Sequence, residues 1–469
     1  MRGNPDAGAA REFGIDGSRL VDSARTPADT AGLDLGNLDL WRDGPPHEVF
    51  ERLRDEPGLH WSPLADFEQE RGFWSVVRFD DIAAVGRDHE TFSSARSIIL
   101  VDKLSWDPEV PDPMDLAQHM MISQDPPRHD RMKALVQRAF TPKRAQDHVD
   151  RMREIINLVW DRALAAHPDG RIDLVQDVGV HVPAMVIGDM LGAPREDAER
   201  LVDRTNRTTA FEDPRLVPDL GEVLRALEEF VPYLNEMIER RRAHPTDDLT
   251  TAFIEAEIDG DHLSHEEILM FFFLLMVAGN DSTRAVFTSG MKNLLEDPEQ
   301  MELVRSGAVP LEQVVEEFVR FNPAFAYMRR TATRDTEMSG TEIKAGDKLA
   351  LWYVSGNRDA TVFSDPHRFD VRRDPNPHQG FGGGGRHFCL GAGLARLELK
   401  LWIEETLRRF PSLALDGESD RLASTFLNQY RSIPVALGVA ARSDLSSVQP
   451  SAWFGFLYVS LFSMFLGFF

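Results

Sequence analysis

The chain has 469 residues, 42% of them hydrophobic and 28% charged, with 77 acidic side chains against 52 basic ones and a formal net charge of −25. That balance lacks the basic face that phosphate binding requires, which excludes nucleic acid as a partner. A single cysteine excludes internal disulfides and cysteine-rich zinc sites, and fits a reducing cytoplasm.

Residues 1–37 are rich in Gly, Ala, Asp and Ser without a sustained period, which predicts a flexible leader. The opening Met1-Arg-Gly-Asn-Pro-Asp lacks the apolar stretch of a secretory signal. Globular patterning starts near Leu38-Asp-Leu-Trp41 and extends to 441. β-Branched and aromatic residues predict strands at Phe73–Phe79, Lys348–Val354 and Ile433–Leu437. Amphipathic periods predict helices at 129–140, 144–166, 194–206, 220–243, 264–295, 311–321 and 392–409. The expected fold is mainly α with a minor β-sheet region.

The 264–295 helix has a marked start: Ser264 and Glu267 form a capping box, with Leu263 and Ile268 placed for a hydrophobic staple. Ile268 to Ala278 is an unbroken apolar run, shorter than the roughly 20 residues of a bilayer span, so the helix belongs inside the protein. An abrupt polar cluster follows, Ala278-Gly-Asn-Asp281-Ser282-Thr283. An acid beside two hydroxyls in a core must be satisfied or hydrated. From the residues alone, a kink patched by hydroxyl-to-backbone bonds and a functional cluster remain equal readings. Further on, Glu317 and Arg320 lie at i and i+3 on one helix face, a pair that by itself contributes only about 0.2–0.5 kcal/mol.

The sole cysteine stands in Phe381-Gly-Gly-Gly-Gly-Arg386-His387-Phe388-Cys389-Leu390-Gly391, just before the 392–409 helix. Glycines there let backbone approach a ligand closely and aim several N–H groups at one sulfur, and the helix N-terminus favours an anion. Cys389 is therefore a candidate metal thiolate, with iron the sharpest hypothesis.

These residues resemble the haem-thiolate monooxygenases, the cytochrome P450 superfamily, whose signature is matched by Phe381, Gly382, His387, Cys389 and Gly391. Eight positions separate Phe381 from Cys389 where the commonest pattern has seven, a longer glycine run that resembles an actinobacterial branch oxidising steroids, terpenoids and branched lipids. The resemblance implies a single haem domain, haem b held by Cys389, and Asp281 with Ser282 and Thr283 relaying protons to activated dioxygen. Serine stands at 282 where the family usually has threonine. It further implies that Glu317 and Arg320 are structural, tied to Arg368 of Pro366-His-Arg-Phe369. His129, Lys133, Arg330 and His387 match the positions that hold the haem propionates. Ile98, Val277, Ala278, Phe325 and Phe426 fall along the distal pocket, an apolar lining suited to a steroid, terpenoid or fatty acyl substrate.

The implied reaction inserts one oxygen atom of dioxygen into a C–H bond. Its two electrons come from outside, because the sequence carries no flavin or nicotinamide fingerprint and no iron–sulfur cysteine set. A separate ferredoxin or flavodoxin with its reductase, drawing on NAD(P)H, is the implied partner. Arg128, Arg131, Arg138, Arg386, Arg396 and Lys400 form a candidate basic docking patch. A peroxide-driven haem peroxygenase and a non-catalytic haem-binding or gas-sensing protein are the alternatives.

The expected localisation is cytoplasmic, with one qualification from the C-terminus. Leu445 to Phe469 carries no charge, and Trp453–Phe469 is 17 apolar or small residues, at the lower limit of a membrane span. A membrane-contacting anchor, a packed extension and a translated frameshift are the open readings of 442–469.

Overall fold

The computed structural model describes residues 32–438 apart from 66–68, 105, 106, 108, 111, 195, 196, 198–214 and 216–219. Most of the predicted 194–206 helix, most of the leader and the whole 445–469 tail lie outside the described residues. Packing begins before residue 38: Leu35 is fully buried, and its carbonyl accepts from Trp41 Nε1 at 2.9 Å. Trp41 then stacks on Trp352, ring centres 5.2 Å apart.

Eight strands frame the description: β1 (His60–Ser62), β2 (Phe73–Val76), β3 (Phe92–Ser93), β4 (Arg171–Asp173), β5 (Tyr327–Ala332), β6 (Lys348–Trp352), β7 (Ala414–Leu415) and β8 (Pro434–Ala436). The larger sheet has the order β1-β2-β6-β5-β3, with β6 parallel to β2 and antiparallel to β5. A three-stranded sheet joins β7, β8 and β4. The predicted 348–354 strand stops at Trp352, where a short helix, Tyr353–Gly356, takes over.

Helices form the rest of the frame: α1 (Phe79–Arg87), α2 (Arg128–Val136), α3 (Val149–Ala166), α4 (Val182–Met190), α5 (Leu220–Ala243), α6 (His265–Glu296), α7 (Leu311–Phe321) and α8 (Ala392–Arg409). The capping box on α6 is present, Ser264 Oγ accepting from Glu267 N at 3.1 Å and Glu267 Oε2 from Ser264 N at 3.0 Å. Although α6 is long and apolar enough to cross a membrane, it runs through the core, with Phe272, Phe287, Met291 and Leu294 fully buried. Burying a phenylalanine such as Phe287 contributes about 1.5–3 kcal/mol; its ring stacks on Trp402 of α8 at 3.7 Å. A Cβ at Gly290 would lie 1.9 Å from Phe318 Cδ2, so only glycine lets α7 pack this close to α6. Together α6, α7 and α8 bring the polar cluster, the Glu317 pair and the cysteine loop to one place.

Candidate active site

Cys389 is held by a tight loop. Its N–H donates to Phe381 O at 3.0 Å, and Gly382, Gly384 and Gly385 all take positive φ, which turns the chain back before α8. Arg396, on the first turns of α8, places its guanidinium 4.4 Å from the Phe381 ring centre and donates to Glu316 of α7 at 2.6 and 2.8 Å. The cysteine is accessible, but the space it faces is an internal cavity of about 1550 Å³, counting its mouth. Among the described residues one N–H, that of Gly391, bonds the sulfur, where the sequence suggested several. Burial pushes the thiol up, and only the Gly391 N–H and the charges of Arg396 and Lys133 oppose it. The loop positions the sulfur, and a metal bound there would supply the anion, because it deprotonates a coordinating thiol outright.

Across this cavity runs α6, presenting Ala278, Gly279, Ser282, Thr283 and Val286, the spacing of one helix face. Ser282 Oγ donates to Ala278 O at 2.5 Å, one turn back. Asp281 points to the neighbouring side, 1% exposed, with Arg284 Nη2 2.6 Å from its Oδ1. Arg284 also donates to Gln429 at 3.2 Å. Sequence reasoning found the acid and missed its base, which sits one turn away in the same apolar helix.

Basic groups converge at one end of the cavity: His129, Lys133, Arg330, Arg386 and His387. The His129 and His387 rings lie 4.2 Å apart. Arg330 is buried and donates to Arg329 O at 2.8 Å. His387 Nε2 is buried with no protein hydrogen-bond partner among the described residues. Burial, then the charges of Arg330, His129 and Lys133, pushes His387 down to about 2, so the cluster penalises further positive charge and is poised for anions. One wall residue was not foreseen: Glu398 on α8 is 2% exposed, and burial raises its carboxyl to about 8, leaving it neutral at pH 7.

A second cavity adjoins the first, sharing Ile122, Leu274, Ala278, Phe325 and Met328 with it. The predicted Ile98, Val277, Ala278, Phe325 and Phe426 all line this space, and the Phe325 and Phe426 rings meet at a tilt with centres 5.0 Å apart. Apart from Ser123 and Asp281 its lining is apolar.

The family model for cytochrome P450 matches residues 36–307 and 310–429. The chain belongs to the cytochrome P450 family. A methyl-branched lipid omega-hydroxylase of Mycobacterium tuberculosis is 40% identical over 419 residues, 86% of this chain and 94% of the relative. A steroid C26-monooxygenase of Rhodococcus jostii is 33% identical over 409 residues, 86% and 84% of the two chains. Among solved structures, a Mycobacterium marinum cytochrome P450 in complex with pseudoionone aligns with a TM-score of 0.79 at 33% identity, covering 87% of this chain and 99% of that one. A Bacillus megaterium P450 in complex with testosterone gives 0.71 at 29%, covering 84% and 100%.

The protein is therefore a cytochrome P450 monooxygenase of hydrophobic substrates, and its cofactor is haem. The cavity of this P450 fits that group: a sulfur on one side, an apolar helix on another, and at one end cations beside a buried imidazole nitrogen that has no hydrogen-bond partner among the described residues, which suits the carboxylates of a haem.

The P450 brace around Glu317 differs from expectation in one member. Glu317 and Arg320, both 0% exposed, form two bonds at 2.7 Å. Arg320 donates to the carbonyls of Asn357, Pro366 and Arg368 at 2.9 Å, and Glu317 accepts from Asp370 N at 2.8 Å and Asn376 at 3.0 Å. Arg368 contributes only that carbonyl; its side chain is half exposed and turned toward Glu299. The guanidinium that approaches Glu317, at 3.4 Å, belongs to Arg373. The supposed basic patch is likewise largely neutralised, Arg128 and Arg131 by Glu267, Arg386 by Asp130, Arg396 by Glu316 and Lys400 by Glu312.

Proposed function

We propose that this P450 hydroxylates a C–H bond of an elongated apolar lipid, of methyl-branched acyl, terpenoid or steroid type, in the cytoplasm. The observation that carries this reading is the apolar second cavity, which meets the haem cavity at Ala278 and Phe325 and leaves room for a long molecule to reach the oxidising centre end first. The names of the relatives, a branched-lipid omega-hydroxylase and a steroid monooxygenase, point the same way.

Cys389 would hold the haem iron in this reading, while Phe381, Gly382 and Gly391 shape its loop. His129, Lys133, Arg330 and His387 hold the propionates. When bound, thiolate-ligated haem supplies the oxidation: one atom of dioxygen enters the C–H bond and the other leaves as water, with two electrons and two protons consumed. Ser282 presents oxygen lone pairs to the cavity while its proton is held by Ala278 O, and Asp281 carries protons inward from the adjoining side with Thr283 beside it. That relay favours dioxygen over peroxide as the oxidant and a catalyst over a gas sensor. The electrons come from a ferredoxin or flavodoxin and its NAD(P)H-dependent reductase. A mostly paired proximal surface favours a partner that recognises shape alongside charge.

The test is Ala278→Phe, which fills the junction of the two cavities. The variant keeps the reduced carbon-monoxide difference spectrum of thiolate-ligated haem and loses at least tenfold in affinity for long lipids relative to short ones. Equal losses for both lengths refute an end-on channel.

A further inference from the structure

One wall of the apolar cavity is irregular chain, 97–104, from which Ile98, Ile99 and Leu104 line the space. Irregular chain has no ladder of its own, so its backbone polar groups need outside partners. Ser97 Oγ and Tyr327 OH supply some of them, accepting from the Ile99 and Leu100 amides at 3.1 Å, and charged side chains on and beside the large sheet supply more. Arg329 of β5 donates to Ile99 O at 3.2 Å and Val101 O at 3.4 Å, and Lys348 of β6 donates to Leu100 O at 2.9 Å. Glu70 accepts from the amides of Asp102 at 2.7 Å and Lys103 at 3.1 Å. The same groups pair with one another: Asp102 lies 2.7 Å from Arg329 and 3.2 Å from Lys348, and Lys348 also contacts the Glu70 carboxylate. Glu70, Arg329 and Lys348 side chains are each 1% exposed, and none of the four lines either cavity.

Two acids and two bases cancel, so the cluster carries no net charge into the interior. Well-packed apolar residues would stabilise the fold as well, because burying charges costs about what their pairing returns. What charges add is direction, since each donor or acceptor is aimed at a particular backbone atom of the wall.

We propose that Glu70, Asp102, Arg329 and Lys348 are positioning residues for substrate selection. By fixing the 97–104 wall they set how deep an apolar chain enters, and so which of its carbons is oxidised. This rests on the lipid reading above, and the experiment separates the two.

Glu70→Gln keeps the side chain's size and an amide oxygen for the Asp102 and Lys103 amides but removes the charge facing Lys348. Lys348→Met is the stronger variant. Hydrogen exchange of the haem-loaded Glu70→Gln enzyme, which needs no substrate, is expected to speed up about tenfold at the amides of 98–104, as loss of a charge-assisted bond predicts, and to stay unchanged in β5 and β6. With iso-branched hexadecanoic acid and excess electron donor, oxidation spreads from one carbon to several and KM rises several-fold while kcat and the carbon-monoxide spectrum hold. An unchanged product pattern, with or without faster exchange, overturns the proposal, as does unchanged exchange. A wild-type enzyme that neither binds nor oxidises this acid, a long terpenoid or a steroid overturns the lipid reading; exchange at 98–104 then judges the brace by itself.

Discussion

The Arg284 guanidinium lies 2.6 Å from Asp281 Oδ1, one turn along the same buried helix. A buried carboxylate needs a partner in place of water, and Arg284 supplies it while leaving Asp281 beside the second cavity, where it can pass protons toward Ser282. Removing one partner of such a pair typically costs about 3–5 kcal/mol. Asp281→Asn is expected to lower product turnover about 100-fold, the lower end of what a positioned proton donor contributes. Arg284→Gln follows it in direction, with a larger loss of stability. Product formed per NAD(P)H oxidised, alongside the carbon-monoxide spectrum as a control for haem ligation, measures both. Full coupling in Asp281→Asn refutes the relay.

The second prediction separates two arginines. Arg368→Ala removes an exposed side chain and keeps the carbonyl that Arg320 uses, so stability changes by less than about 0.5 kcal/mol. Arg373→Ala removes a guanidinium that lies 3.4 Å from the buried Glu317 carboxylate and donates to Ser364 O at 2.8 Å, and should cost about 1–3 kcal/mol. Urea unfolding of the haem-loaded variants gives the comparison. The reverse order returns the inner role to Arg368.

Which features were legible in the sequence follows from how local they are. The capping box, the Asp281 cluster and the cysteine loop are each a few contiguous residues, so their chemistry could be read without the fold. Helix α4 escaped because Val182, Ala184, Val186 and Gly188 are all buried: a helix apolar on every side shows no amphipathic period. The Glu70–Lys348 contact joins residues 278 apart in sequence, with no spacing to announce it. Arg368 sits in the motif, yet the loop's turn decides which arginine faces inward, and that choice belongs to tertiary packing. Glu398 looks like any acid on an amphipathic helix until the cavity and its neighbours close over it.

A third prediction concerns the loop itself. Gly385 has φ +80°, and a Cβ there would fall 2.3 Å from Gly86 O of α1. Left-handed backbone costs a non-glycine residue about 1–2 kcal/mol, and the clash with backbone adds to it. Since Gly385 O accepts from Phe388 N at 3.3 Å, the displacement reaches the residue beside Cys389. Gly385→Ala should lower haem content per chain and the thiolate-type absorbance together. Gly393→Ala, on α8 with nothing within 4 Å of its added carbon, should keep both and gain about 0.5–1 kcal/mol. Normal haem loading in Gly385→Ala removes the steric argument.

The last prediction is the pH dependence of the proximal anchor. Burial works to raise the Glu316 carboxyl, but hydrogen bonds from Arg396 and His378 outweigh it and hold the group at about 2. A glutamate in the unfolded chain titrates near about 4.3. The folded value is the lower, so the unfolded state takes up the proton first as the solution is acidified. The anchor's contribution is therefore fully present above about pH 4.5 and is lost as pH falls toward 2. A shift of this size corresponds to about 3 kcal/mol, which solvent screening of a carboxylate 26% exposed reduces to about 1–2 kcal/mol. Glu316→Gln should lose about that much stability at pH 7 and show a shallower decline between pH 4.5 and 2, measured by urea unfolding across the range. Curves that stay parallel all the way down place the acid sensitivity of this P450 in other carboxylates.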